Sequence, residues 1–346
     1  MQRIIAACLT LLVVLPTLAA DQPIVDRTLA IDAIKHTDYG LHYLRGTQAK
    51  DGSWSNSVAV TALALRAFLN SYQRYTEEDG AFITRPVDFL LAHVHDDGSI
   101  GESDADRVAT TALAITALQA TRNPRHADVI ANAQAFLRGV QANERRWVAA
   151  TDARYGGIGD AGGPPALWRQ YLASDALRLT ALDPTDPLWS QSVIFVSRRQ
   201  NPGDGSFGAF PRDAGDPATP SAPLTVAALV SLLHAGVANT DPRVAAARQW
   251  LDRHFADQSP PGLDRPSELF AYLDATAKAL RALGDPVVGG ANGQLWRDVL
   301  IRRVLALYQP DGAWGDGAPG HGAGGDPALA TALAVDTLNE IIHSFR

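Results

Sequence analysis

Cysteine is almost missing from this chain: among 346 residues only Cys8 carries a thiol. Cys8 lies in an N-terminal segment that reads as a signal peptide over residues 1–20. Arg3 supplies the positive region, Ile4 to Leu15 the apolar stretch, and Thr17 to Ala20 the small-residue cleavage zone. Its apolar run is near 12 residues, whereas a membrane span needs about 20, so no transmembrane anchor is expected. Cleavage would leave a cysteine-free chain from about Asp21, exported to the periplasm or the medium. Disulfides, thiolate metal sites and cysteine nucleophiles are then excluded. Positive charge is also scarce: without Arg3, 29 Lys and Arg face 37 Asp and Glu, a net charge of −8. That speaks against nucleic acid and anionic membrane surfaces as partners.

Other absences narrow the chemistry. His93 and His95 are two residues apart and cannot share one helix face, so they make no metal pair. The run Gly157 to Gly162 spells a dinucleotide fingerprint, but no strand precedes it. No Gly-x-Ser-x-Gly elbow occurs. No metal or cofactor is therefore expected. Strand-like alternation is nearly absent, which makes the chain all-α.

What is present is a sixfold repeat. Glycine turns recur at Gln48 to Trp54, Asp96 to Ile100, Tyr155 to Gly159, Gln200 to Phe207, Gln258 to Leu263 and Gln309 to Trp314. An alanine-rich helix follows each turn. Aligning these helices puts Thr61, Thr111, Asp175, Thr225, Thr276 and Thr331 in one column, 50, 64, 50, 51 and 55 residues apart. Repeats of this length mark a solenoid or ring fold. The helices after the turns (58–69, 108–118, 174–182, 224–233, 274–283 and 328–338) are apolar all round, hence inner. Those before the turns are one-sided, hence outer. The expectation is an (α/α)6 toroid forming one domain over 21–346, with hairpins near 30–75, 83–122, 126–183, 188–240, 243–284 and 293–343. Breakers at Asn123-Pro124, Asp183-Pro184, Asp241-Pro242 and Asp285-Pro286 mark where hairpins turn. The long insertions at 143–170 and 208–223 both join an outer to an inner helix, so both should cap the same mouth.

The turns resemble the Gln/Trp repeats of squalene and oxidosqualene cyclases. Gln48 to Trp54 keeps the Gln-x-x-x-Gly-x-Trp spacing; Gln309 to Trp314 is one residue shorter and Gln200 to Phe207 one longer. The resemblance implies the toroid shared by triterpene cyclases, class II diterpene cyclases and protein prenyltransferase β-subunits. It covers nearly the whole mature chain. Two departures stand out: the Asp/Cys/His zinc site of the prenyltransferases cannot be made without Cys, and triterpene cyclases have two barrels where this chain has length for one.

The resemblance also implies an acid. Class II cyclases protonate an alkene or epoxide with the middle Asp of Asp-x-Asp-Asp-Thr, and aromatic faces then stabilise the carbocation. Tyr272-Leu-Asp274-Ala-Thr276 has the right register, with Asp274 two residues before the column Thr. Tyr272 and Ala275 replace the outer acids. Asp104-Ala-Asp106-Arg107 has the spelling but lies out of register. Asp175 is the one carboxylate in the column and follows an insertion holding Trp147, Tyr155, Trp168 and Tyr171. Asp274, Asp106 and Asp175 are thus the candidate acids, and Tyr272, Trp168, Tyr155 and Trp314 the candidate substrate-contacting aromatics. Each has a structural alternative. Asp106 fits a helix cap like Asn56 and Asp326, Asp274 a helix-start Asp bonded to backbone N–H groups, and the aromatics a packed plug. His321, with Asp316 and Asp326 close in sequence, fits either an acid-orienting group or a solvated loop residue.

Three functions are compatible with this sequence. One is an exported terpenoid-cyclase-like protein acting on or holding an isoprenoid or other hydrophobic small molecule by Asp-mediated protonation. The second is a non-catalytic toroid that binds a ligand or a protein partner. The third is a carbohydrate-active (α/α)6 enzyme using two of Asp152, Asp160 and Asp175 beside Trp147 and Trp168.

Overall fold

The computed structural model describes residues 25–159, 165–209, 219–255, 260–263, 268–284, 287–288, 293–315 and 325–345. The segment 1–20, Asp160, Asp316 and His321 lie outside them. Six outer helices are α1 (Arg27–Thr47), α3 (Ala81–Ala92), α5 (Ala127–Gly139), α7 (Pro187–Ser197), α9 (Pro242–His254) and α11 (Trp296–Leu305). Six inner helices alternate with them: α2 (Val58–Leu69), α4 (Arg107–Ala120), α6 (Leu167–Leu179), α8 (Ala222–His234), α10 (Leu269–Leu283) and α12 (Pro327–His343). Each inner helix packs on the next, and α12 packs on α2, so the inner layer closes on itself. In the outer layer α1 leans on α12, α3 on α2, α5 on α4 and α9 on α8. The expected α/α toroid is the fold observed. A two-residue antiparallel pair, Val287–Val288 with Gln294–Leu295, is the one named sheet among the described residues. No helix among them is long and apolar enough to cross a membrane.

Small residues make the ring close. Ala62, Ala64, Ala67, Ala112, Ala114, Ala117, Ala227, Ala228, Ala277 and Ala279 are all buried, which lets the inner axes approach without large side chains between them.

The turns act as rivets. Gln48 Nε2 donates both to the Gly52 carbonyl (3.1 Å) in its own turn and to the Phe82 carbonyl (3.0 Å) at the start of the next outer helix. Gln141 bridges Gly156 and Leu188 in the same way, and Gln200 bridges Gly205 and Arg243. The repeated threonine has an equally local task. Trp54 N–H donates to Thr61 Oγ1 (3.0 Å), Ile100 to Thr111 (2.8 Å), Phe207 to Thr225 (3.0 Å) and Trp314 to Thr331 (3.0 Å). A buried N–H left without a partner costs about 1–3 kcal/mol, which explains why the column keeps a hydroxyl.

In the third repeat the expected alignment fails. Ile158 N–H is taken by Gln170 Oε1 (2.9 Å), whose amide reaches Ser174. Gln170 therefore holds the column place, and Asp175 lies five residues after it, the offset that Arg66 and Asp336 keep from Thr61 and Thr331. The helix also starts at Leu167, seven residues before the expected 174, because Trp168, Tyr171 and Leu172 extend its stripe. Capping differs from expectation as well. Ser57, not Asn56, caps α2, while Asp326 does cap α12 through Ala328 and Leu329 N–H.

Gly156 shows how tightly the rivets close. Its φ is +84°, and an added Cβ would run into the Gln191 carbonyl of α7. Gly156→Ala is expected to lower stability by at least about 2 kcal/mol, from left-handed strain plus displacement of α7. Gly46→Ala, where a Cβ meets open space near the end of α1, should instead gain about 0.5 kcal/mol. Chemical denaturation of the two variants checks both signs.

Candidate functional site

Inner helices apolar on every side should carry no charge, yet four of them do. Arg66 sits on α2, Asp175 on α6, Asp274 and Lys278 on α10, and Asp336 on α12; all but Lys278 are buried below a tenth of their surface. Taking such ions from water costs several kcal/mol each, and a well-packed hydrophobic set would serve stability as well or better. They gather into one cluster at the barrel axis. Arg66 donates from Nη2 and Nε to Asp336 Oδ2 at 2.7 and 3.0 Å, and its Nη2 stands 3.7 Å from Asp274 Oδ2. Lys278 Nζ donates to Asp175 Oδ2 (2.9 Å) and lies 3.4 Å from Asp274 Oδ2. His234 of α8 approaches Asp175 at 3.9 Å.

Two chambers meet at this cluster. Toward the N-terminal ends of the inner helices lies a cavity of about 510 Å³ walled by Leu63, Leu113, Leu172, Leu329 and Leu333, with Trp168 and Tyr171 on one side. Toward the C-terminal ends lies a polar chamber of about 320 Å³ lined by Asn70, Asp175, His234, Asp336, Asn339 and Glu340 among others. Arg66, Asp274 and Lys278 line both, so these three side chains are the partition.

The electrostatics follow from burial and neighbours. Burial pushes the Asp274 carboxyl up, although Lys278 and Arg66 oppose it. Burial likewise raises Asp336 to about 7 against the pull of Arg66. Burial acts on Asp175 too, but Lys278, His234 and Arg66 prevail and hold it down at about 2. His234 is shifted down by burial, which keeps it neutral near pH 7. Among the described residues, Asp274 Oδ1 has no hydrogen-bond partner. A carboxyl of this kind, raised by burial beside an apolar cavity, is suited to giving up a proton there.

The structure brings two of the three candidate acids together. Asp274 and Asp175 share Lys278, whereas Asp106 is at the rim, its side chain 66% exposed and 3.6 Å from Arg169. Asp106 sits at the start of α4 but makes no capping bond, so the expected cap is absent too. Asp274 is not a helix-start residue: α10 begins at Leu269, and its first-turn N–H groups lie a turn earlier.

Of the four aromatics, Trp168 lines the cavity, its ring centroid 5.2 Å from that of Tyr171. The other three face elsewhere. Trp314 is fully buried in the wall, with Nε1 donating to the Val304 carbonyl (2.8 Å). Tyr155 packs in the insertion and donates to Glu144 (2.7 Å). Tyr272 turns toward α11, with Arg303 at 6.0 Å from its ring. Of the set suggested for a carbohydrate site, Asp152 pairs with Arg154 on the surface and Trp147 is 96% exposed, while Asp160 lies outside the described residues.

Arg66, Lys278 and Asp336 are cluster members that the motif reading missed. The signal was present: each is a charge inside an otherwise apolar helix. Arg66 and Asp336 are both five residues after the column Thr, hence in one layer of the ring.

No protein-family profile matches the chain, and no curated protein is similar to it. Solved structures are similar in fold. The type II terpene cyclase MstE from Scytonema, in complex with its substrate geranylgeranyl dihydroxybenzoate, is 14% identical; the match covers 92% of this chain and 99% of that one, with a TM-score of 0.59. A possible member of the GH105 family from Salmonella enterica is 12% identical, covering 92% and 95%, also at 0.59. The Candida albicans protein geranylgeranyltransferase-I complexed with GGPP is 15% identical, covering 81% and 83%, at 0.54. The chain has the α/α-toroid fold that these structures share. At such identities the likeness concerns the fold, and the site has to be argued from its own geometry.

Asp336 and Asp175 give the stability a defined pH dependence, and Asp274, also raised, acts in the same sense as Asp336. Asp336, raised to about 7 when folded, stabilises fully below the usual carboxylate value of about 3.9, and that share is lost as pH rises to about 7. Asp175, lowered to about 2, stabilises above about 3.9, and its share is lost as pH falls toward 2. The melting temperature should therefore peak near pH 4 and fall between pH 4 and 7. Asp336→Asn should flatten that upper limb; a wild-type melting temperature that climbs from pH 4 to 7 would contradict the assignment.

Proposed function

We propose that this toroid takes the apolar chain of an isoprenoid into the 510 Å³ cavity and that Asp274 protonates it. The observation that carries this reading is the unpartnered Asp274 Oδ1 at the edge of a leucine-walled cavity. Its volume falls within the roughly 300–1,000 Å³ of small-molecule sites. Arg66, Ser221, Glu268, Asp274 and Lys278 interrupt a wall that is otherwise apolar, and that apolar excess favours a hydrocarbon chain over a sugar. The solved toroids named above, with geranylgeranyl dihydroxybenzoate or GGPP bound, support the isoprenoid class by analogy of fold.

In this mechanism the Asp274 O–H bond breaks and its proton forms a C–H bond with one carbon of a substrate alkene, using the alkene π pair. The cation left on the neighbouring carbon is attacked by a second alkene of the same chain, closing a ring. The faces of Trp168 and Tyr171 attract the positive charge as it moves, and the dry wall keeps water from trapping it early. Loss of a proton from the last cation to the Glu268 carboxylate, which also lines the cavity, ends the sequence, so substrate and product are isomers. Arg66 and Lys278 stabilise the carboxylate that Asp274 becomes. We take residues 1–20 to direct the protein out of the cytoplasm, where it would meet its lipid.

A second reading, a toroid that binds without turnover, draws on the same two cations, because each also favours an Asp274 that stays ionised. Incubation with geranylgeraniol, geranylgeranyl diphosphate and squalene separates the two. Wild type should yield products of unchanged mass and shorter retention by gas chromatography–mass spectrometry. Asp274→Asn should lose at least about a hundredfold in rate while still retaining the lipid in native mass spectrometry. Retention without conversion by wild type would establish the binding reading, and neither retention nor conversion would refute both.

A further inference from the structure

The axial cluster holds one more carboxylate than it has cations. Arg66 and Lys278 face Asp175, Asp274 and Asp336. The neighbouring groups do not correct the imbalance. His234 on α8 is neutral, and Arg281 and Glu340 neutralise each other at 2.5 Å on the rim of the polar chamber. His343 lines the same chamber, and Arg178 of α6 acts on His234 from an exposed position. The faces that α1 and α11 bury carry no charge, and α4 contributes only Thr116, 3.4 Å from Arg66. An uncompensated ion at this depth is costly, so one carboxyl keeps a proton. Asp175 is closed to it by Lys278 at 2.9 Å. Asp274 and Asp336 remain, and both lean on the same Arg66 nitrogen, at 3.7 and 2.7 Å.

We propose that Asp274 and Asp336 share a single proton across Arg66, and that Asp336 is the positioning residue through which the polar chamber recharges the acid. The proposal rests on the reading of Asp274 as the acid. The layout supports it. Asp274 lines both chambers, whereas Asp336 lines the polar one alone. In the arrangement observed, Arg66 is bonded to Asp336, which leaves the proton to Asp274 and the donor ready. After Asp274 gives its proton to a substrate carbon, Arg66 needs to shift by only about the 1 Å that separates its two contacts to answer the new carboxylate. Asp336, released from Arg66, then accepts a proton from chamber water. That proton passes to Asp274 as Arg66 returns. One proton leaves toward the cavity and one enters from the chamber, so the cluster's charge is restored in each cycle. Burial raises both carboxyls, as such a pair requires.

Carboxyl-¹³C NMR titration of the whole protein, labelled at aspartate, tests this without any substrate. In wild type the two buried carboxyls should titrate together, above the ordinary carboxylate range. Asp336→Asn balances two cations with two carboxylates, so the Asp274 midpoint should fall by about two pH units or more, and Asp274→Asn should do the same to Asp336. An Asp274 midpoint unmoved by Asp336→Asn would overturn the proposal. If either variant fails to fold, separate midpoints for the two carboxyls in wild type would overturn it equally. With a turnover assay in hand, Asp336→Glu should keep the pH–rate profile that Asp336→Asn displaces. Joint titration in a protein that converts no lipid would leave the shared proton standing and remove the function proposed for Asp274; independent titration in an active enzyme would do the reverse.

Discussion

The bond from Arg66 to Asp336 organises the axis of this molecule. It joins the first inner helix to the last, 270 residues apart in sequence, at the seam where the ring closes. Asn339 adds a second tie across the same seam by donating to the Ala67 carbonyl at 3.0 Å. A guanidinium placed there has to be answered by carboxylates, and those carboxylates need a further cation once they outnumber it. Asp274, Lys278 and Asp175 follow in that order around the ring. An apolar substitute for the whole set would hold a toroid together at least as well. The cluster is therefore better understood by what it does to protons than by what it adds to stability.

The scaffold bears its loads elsewhere, which leaves the axis free. Gln48, Gln141 and Gln200 rivet each turn to the next outer helix, the column threonines satisfy the turn N–H groups, and alanines let the inner helices approach. None of these reaches the axial chambers. The same rivets can hold rings with different interiors, consistent with a fold shared by a terpene cyclase, a protein prenyltransferase and a GH105-type protein.

That division also explains what the sequence revealed. The repeat and the two layers were legible because they rest on local rules: glycine with positive φ, proline breakers and uniform apolarity. Asp274 was legible because the column supplied a register. Asp175 was put in the column five residues past its occupant, since Gln170 accepts the turn N–H that threonine accepts elsewhere, and no composition rule announces that exchange. Arg66, Lys278 and Asp336 were passed over because no motif names them. Their sign was the misfit of a charge in a buried helix. Trp314 and Tyr155 had the chemistry of a pocket but the duties of a wall, a distinction made only by the direction in which a side chain points.

The partition also fixes the character of the space on either side. Leucines, Trp168 and Tyr171 make one chamber inhospitable to water, whereas Asn339, His234 and Asp336 give water three or more partners in the other. A dry and a wet chamber that meet at one carboxyl are what proton delivery to an apolar ligand requires. Crystals pressurised with xenon measure that contrast directly, because xenon enters apolar cavities and avoids hydrated ones. Xenon is expected among Leu63, Leu113 and Leu333, and ordered water alone beside Asn339 and Asp336. Water filling the leucine-walled chamber, or xenon on the Asp336 side, would contradict it.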